Sequence, residues 1–268
     1  MTMVTTARFA NVDGARVAYR LHGQGAAVVL VNGTAALDAH WGSVIAELGK
    51  HRTVISLDYS GSGDTTDDGG VLSLEKLARQ VKEVAGAAGV ERFDLIGHSL
   101  GAAIAIQLAA SSADLVRSLI VVAGFSRGAE PRLKLQFELW LDLLRTNRDA
   151  FLRLLLLSGL TPAFVSSVGI SAIEDMIKGY MPLANWEGIA RQVELDLAVD
   201  VSGQAASVTS PTLVINCAYD QIVTQTPELA AIIPGSMCRQ ISAGHLAYFE
   251  GAGEFLSLAT EFLRRHDS

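Results

Sequence analysis

The sequence predicts an α/β protein, with a mostly parallel sheet of eight strands and helices on both faces. Three observations carry that expectation. Short apolar runs such as Ala27–Val31 have the continuous greasiness of strands buried on both sides. These runs alternate with segments of helical periodicity, and such alternation implies parallel pairing through helical crossovers. Gly97 and Gly101 bracket a short turn between a strand and a helix, where the chain must reverse abruptly.

The elements follow in order. Residues 9–12 and 17–21 flank Asp13-Gly14, a hairpin signal. Ala27–Val31 is the next strand, residues 39–48 carry a helical pattern, and residues 53–57 form another strand. Ser73 stands where an N-cap belongs and opens a helix to about residue 88. Residues 93–96 lead into the glycine-bracketed turn, and an alanine-rich helical run over 102–110 leaves it. Strands are expected at 118–122, at 212–216 and at Met237–Ile241, and a helix over 254–265 closes the chain. Right-handed crossovers bring the parallel strands' C-terminal ends to one edge, at Val31, Leu57, Ile96, Val122, Asn216 and Ile241. Open sheets of this kind bind ligands along that edge.

One segment breaks the alternation. Residues 127–204 contain no good strand, while Leu133, Phe137, Trp140, Leu141 and Leu144 recur at helical spacing. Gly159, Pro162, Gly169, Gly179 and Pro182 punctuate the helical pieces. The expected organisation is a core of residues 1–126 and 205–268, with 127–204 as a helical insertion after the sixth strand, lying over the cleft. Phe137, Trp140, Phe164, Met176, Met181 and Trp186 are its candidate lining residues.

Bulk properties narrow the partners. A chain of 268 residues, half of them hydrophobic, fits one α/β domain with an insertion. Net charge is −7 and the basic residues are scattered, which argues against nucleic acid and against an anionic membrane surface. Residues 1–9 lack a signal-peptide pattern and no apolar run approaches the ~20 residues of a membrane span, so a cytoplasmic setting is expected. Cys217 and Cys238 have neither metal-ligand spacing nor a disulfide pattern and read as buried thiols. Gly23-Gln24-Gly25 precedes a strand and Gly61-Ser62-Gly63 does not extend to G-x-G-x-x-G, so no dinucleotide site is expected. The expected partner is a small-molecule substrate, with no metal and no cofactor; a homodimer is compatible with the sequence.

Gly97-His98-Ser99-Leu100-Gly101 carries the chemical signal. A serine with glycines two residues to either side, between strand and helix, is the nucleophile-elbow pattern. Strand and helix nearly touch there, so only glycine leaves room, and the serine is held strained with its hydroxyl exposed at the strand end. A neutral hydroxyl is a weak nucleophile, so it needs a base and a third group to orient that base. Among six histidines, His245 stands just after the last strand, in Ser242-Ala243-Gly244-His245. His98 lies inside the turn, where its side chain should diverge from the hydroxyl; His22, His40 and His51 precede the turn, and His266 is near the C-terminus. Asp220 follows the 212–216 strand; its competitor Asp58 reads instead as a brace for Gly61-Ser62-Gly63. Ser99, Asp220 and His245 thus all fall at strand ends, and agreement of three placements outweighs one motif.

With these features the chain resembles the α/β-hydrolase fold superfamily over essentially its whole length. The resemblance includes the hairpin, the elbow, the Pro211-Thr212-Leu213-Val214 strand leading to Asp220, and the Ala243-Gly244-His245 loop. The order nucleophile, acid, base is that family's. The chain looks most like small bacterial enol-lactonases, carboxylesterases, cofactor-free haloperoxidases and carbon–carbon bond hydrolases. Ser99 argues against haloalkane dehalogenases and epoxide hydrolases, which use aspartate. The resemblance implies that the insertion is a cap. It also implies an oxyanion hole of two backbone N–H groups, from Leu100 and from Thr34 in Asn32-Gly33-Thr34. Two departures stand out: Asn32 replaces the family's usual histidine, which makes it a candidate substrate contact, and Ser60 stands where arginine is usual.

Ser99 is therefore expected to attack an ester, thioester or lactone of a small to medium, mostly apolar substrate. His245 would take its proton, Asp220 would orient the imidazole, and Thr34 and Leu100 would hold the oxyanion. The same residues also suit carbon–carbon hydrolysis, peracid formation or a cyclisation. A ligand-binding receptor is the non-enzymatic alternative.

Overall fold

Asp13 and Gly14 both take positive φ, 48° and 81°, and close a two-residue turn between β1 (Arg8–Val12) and β2 (Ala15–His22). The protein is seen here in a computed structural model that describes residues 6–267. Residues 1–5, where the expectation about a leader segment begins, and residue 268 lie outside the described residues. Six further strands follow: β3 (Ala27–Val31), β4 (Thr53–Asp58), β5 (Phe93–His98), β6 (Val116–Val122), β7 (Thr212–Cys217) and β8 (Met237–Ile241). The sheet order is β1-β2-β4-β3-β5-β6-β7-β8. β2 pairs antiparallel with both neighbours, and every pair from β4 to β8 is parallel.

Strand side chains alternate between two apolar layers. Val29, Val31, Leu119 and Val121 face one; Val28, Leu30, Ile120 and Val122 face the other. The first layer receives α2 (Leu74–Ala87) and α3 (Leu100–Ser111); the second receives α1 (Gly42–Leu48) and α11 (Ala252–Arg265). Ser73 caps α2, its Oγ accepting the Lys76 amide at 3.2 Å. The helix expected from residue 39 opens instead as a 3-10 turn, Asp38–Trp41, ahead of α1; Trp41 is buried beneath it. At the sheet edge opposite the candidate site, buried Asp94 accepts from Arg52 and Arg117, each at 2.8 Å, and from Ser118 at 2.7 Å.

Between β6 and β7 run α4 (Pro131–Thr146), α5 (Arg148–Gly159), α6 (Pro162–Tyr180), α7 (Trp186–Ala198) and the short α8 (Ser202–Ser207). Glu130, Asn147, Thr161 and Asn185 cap the first four through side-chain oxygens. Gly169, at φ 78° and ψ 162°, kinks α6. α9 (Thr226–Ile232) and α10 (Ala247–Glu250) follow β7 and β8.

Cys217 is buried, but Cys238 is exposed, because it lies on the edge strand β8. Among the described residues, no helix is long and apolar enough to cross a membrane.

Candidate active site

The turn from β5 into α3 leaves no room for side chains beside the serine. A Cβ on Gly97 would lie 2.3 Å from the Gly101 carbonyl oxygen, and one on Gly101 would lie 2.2 Å from that of Val31. Ser99 itself takes φ 53° and ψ −120°, a conformation that strains an L-residue. It is the price of projecting the side chain from the sheet's C-terminal edge.

Asp220, in the loop after β7, and His245, in the loop after β8, are both buried. His245 Nδ1–H donates to Asp220 Oδ2 at 2.8 Å. Asp220 Oδ1 accepts the Ile222 and Val223 amides, both at 2.8 Å, so the carboxylate is fixed from behind. Ser99 and His245 Nε2 share no hydrogen bond among the described residues, but both residues line one cavity. His98 shares no hydrogen bond with the serine hydroxyl among the described residues, and its Nε2–H donates to the His245 carbonyl at 2.9 Å. Burial, and then the neighbouring His245, holds the His98 imidazole well below the usual histidine range, so it stays neutral. Glu250 secures the same loop, accepting from the Gly244 amide at 2.6 Å and from the Thr161 hydroxyl at 2.6 Å.

The loop after β3 faces Ser99 from the other side. Tyr59 Oη–H reaches the Asn32 and Gly33 carbonyls, each at 3.2 Å. Thr34 Oγ1–H donates to Asp196 Oδ2 at 2.6 Å, and the Ala35 amide donates to Gln192 Oε1 at 3.0 Å. Tyr180 Oη–H donates to the Ala35 carbonyl at 2.5 Å. Leu100 is the first residue of α3, so its amide has no acceptor within the helix.

The cavity holds about 340 Å³ and its wall is mostly apolar. Ser99, Thr34 and His245 lie at its floor, and α5 and α6 close it above. Trp140, Phe164 and Met176 line it. Phe137, Met181, Trp186 and Asn32 do not, and these four expectations are corrected. Phe137 packs between Phe125 and Trp140, at ring separations of 5.7 and 5.4 Å. Trp186 is turned to Phe151 and Tyr180, with Arg148 over its ring at 5.2 Å. Met181 caps the end of α6 outside the wall. Asn32 is buried under its loop and donates to the Leu57 carbonyl at 3.4 Å. Sequence reasoning missed Leu152, Leu155 and Leu156 on α5, whose i, i+3, i+4 spacing puts them on one helix face. It also missed His40, Tyr180 and Phe249.

The remaining motif residues are structural. Asp58 accepts the Asp64 amide at 3.3 Å, and Gly63 passes so close to it that a Cβ would overlap the carboxylate. Ser60 exchanges two hydrogen bonds with Gln80, at 2.9 and 2.7 Å. Among the described residues, no three histidine, cysteine or acidic side chains are grouped to hold a metal.

Comparison with known proteins matches residues 28–258 to the alpha/beta hydrolase family. Pyrrolizixenacetamide deacetylase of Xenorhabdus hominickii is 43% identical over 260 residues, covering 96% of this chain and 98% of that protein. The enol-lactonase of Burkholderia xenovorans LB400 superposes with a TM-score of 0.87 at 24% identity, over 96% of this chain and 100% of that one. A bromoperoxidase from Bacillus anthracis gives 0.87 at 17% identity, over 97% and 100%. These two show the shared fold alone. The family match and the deacetylase together, on a sheet of this topology, make the chain a hydrolase that belongs to the alpha/beta hydrolase family.

Proposed function

We propose that the protein is a serine hydrolase that removes a short acyl group from a small to medium, mostly apolar amide or ester. The observation that carries the reading is the Asp220–His245 pair, held rigid at the edge of a cavity that also exposes Ser99. Asp220 keeps the proton on Nδ1, which leaves Nε2 as the acceptor for the Ser99 hydroxyl proton. The hydroxyl oxygen then attacks the carbonyl carbon. The Thr34 and Leu100 amides receive the resulting oxyanion, aided by the α3 N-terminus, and losing one such donor typically costs about 3 kcal/mol. His245 returns the proton to the leaving nitrogen or oxygen. Water next attacks the acyl-enzyme, with His245 again as base. The Ser99–His245 hydrogen bond is completed as substrate fills the site, since such contacts often tighten only then.

Helices α4–α7 act as the cap. A cavity of about 340 Å³ with apolar walls favours a small or medium ligand with one polar reacting group. The deacetylase relative supports an amide or ester with a short acyl group, where the sequence alone pointed to esters, thioesters and lactones. A fluorophosphonate probe tests the nucleophile. Wild type is labelled at Ser99, and Ser99→Ala is neither labelled nor able to turn over substrate, with an unchanged melting curve. Turnover retained by Ser99→Ala overturns the reading. A matched panel of acetyl amides, acetate esters, thioesters and lactones then ranks the bond cleaved.

A further inference from the structure

Asp196 on α7 has its carboxyl against the loop that carries Thr34. The residue is 1% exposed; Oδ2 accepts the Thr34 hydroxyl at 2.6 Å, and Oδ1 has no partner among the described residues. Its surroundings are fixed. Gln192, one turn earlier, accepts the Ala35 amide and donates to Ser62 Oγ at 2.8 Å. The connector before α4 runs so close that a Cβ on Gly128 would overlap the Asp196 carbonyl oxygen, and the Gly128 amide donates to the Val199 carbonyl at 2.9 Å.

We propose that Asp196 is a positioning residue, which fixes the Thr34 backbone N–H at the oxyanion position by gripping the Thr34 hydroxyl. The inference rests on the reading of Ser99 as nucleophile and Thr34 as oxyanion donor.

The group suits this task only when uncharged. Among the described residues no ion pair involves Asp196. Tyr59, facing it from the loop after β4, stays protonated because burial, then Asp196, then Asp58 raise its phenol well above the usual range. Beyond it, Asp58 lies 3.5 Å from Arg20. Arg191 on α7 is taken by Asp67 at 3.0 Å, and Arg127, ahead of α4, by Asp200 at 3.4 Å. Burial therefore pushes the Asp196 carboxyl up to about 8, with the Thr34 hydrogen bond opposing only part of the rise. A neutral carboxyl accepts the Thr34 hydrogen bond without setting negative charge beside the developing oxyanion. A buried anion beside that position repels the developing charge and would lower the rate on the order of tenfold. The geometry thus ties oxyanion stabilisation to pH through a residue of the insertion.

The test compares kcat and KM from pH 6 to 10 for wild type, Asp196→Asn, Asp196→Ala, Thr34→Val and the double variant Asp196→Ala with Thr34→Val, with Ser99→Ala as reference and a thermal melt for each. Wild-type kcat falls above about pH 8 while KM barely moves. Asp196→Asn keeps an acceptor for Thr34, recovers kcat relative to Asp196→Ala, and lacks the alkaline fall. Asp196→Ala and Thr34→Val each lose about tenfold in kcat, and the double variant loses no more than either. An alkaline fall unchanged in Asp196→Asn overturns the proposal, as does a loss in the single variants confined to KM. If Asp196→Ala does not fold, the pH profile of Asp196→Asn decides alone. An active Ser99→Ala overturns the reading of Ser99 and this inference with it. An inactive Ser99→Ala beside Asp196 variants that behave as wild type overturns this inference only.

Discussion

Replacing Gly101 with alanine measures how tightly the serine turn is built. The new Cβ would stand 2.2 Å from the Val31 carbonyl oxygen and 2.3 Å from that of Asn32. Real Cβ atoms essentially never approach within 3.0 Å, so α3 or the facing loop must yield by most of an ångström. Both obstacles are backbone and cannot rotate aside. Overpacking of this kind destabilises by about 1–3 kcal/mol. In a chain of this size each kcal/mol lowers Tm by about 2–4 °C, so the expected fall is roughly 2–12 °C. The effect on rate is larger. Asn32 lies two residues before Thr34, so the strain is delivered to the loop proposed to hold the oxyanion, and a 1 Å displacement of reacting groups costs about 100-fold. Gly253→Ala is the control, because a Cβ there meets open space in the first turn of α11. Melting curves and hydrolysis of an activated ester, run on both variants, read the two effects. A wild-type rate in Gly101→Ala, or an equal loss in Gly253→Ala, refutes the reasoning.

Three further outcomes are expected. Asp220→Asn keeps its oxygen on the Ile222 and Val223 amides, which turns its NH2 toward His245 Nδ1 and forces the proton onto Nε2. In that tautomer the base cannot act, so kcat should fall by about 10⁴ with Tm nearly unchanged, and a loss under tenfold would count against the assignment. Glu250→Ala strips the Gly244 and Thr161 amides of their acceptor; stability should drop by about 1–3 kcal/mol and kcat with it, and unchanged melting and kinetics would contradict the tether. Asp196 is held above its unfolded value, so its contribution to stability is full below the ordinary carboxylate range and lost as pH rises toward about 8. Wild type should therefore lose up to about 1.4 kcal/mol per pH unit relative to Asp196→Asn across that window, and parallel melting temperatures from pH 5 to 8 would disprove it.

The framework was legible in the sequence because each element had a local cause. Asp13-Gly14 specifies its turn, Ala27–Val31 has no polar residue to expose, and Ser73 caps its helix through its own hydroxyl. That Ser99, Asp220 and His245 would come together was legible because strand ends converge on one edge whatever the side chains between them. The insertion was less legible for a physical reason. Periodicity shows that a helix has an apolar face, but not which neighbour that face meets. Phe137 and Trp140 share one stripe, yet only Trp140 reaches the cavity. No local pattern marks Asp196, because the hydroxyl it accepts from belongs to a residue 162 positions away. The short helices α8 and α9 span too few turns to show a period.

The bonds that cross between the insertion and the sheet loops bear on how such a protein can diversify. Thr161 and Glu250 join the start of α6 to the histidine loop, while Asp196, Gln192 and Tyr180 join α6 and α7 to the loop after β3. The roof of the pocket is therefore not an exchangeable module. A chimera that takes residues 127–204 from a relative of different selectivity inherits new walls, but it stays matched to this sheet only if the graft brings groups equivalent to Thr161, Tyr180, Gln192 and Asp196. Selectivity in this lineage is free to drift on α5, whose leucines touch the cavity and carry none of those bonds.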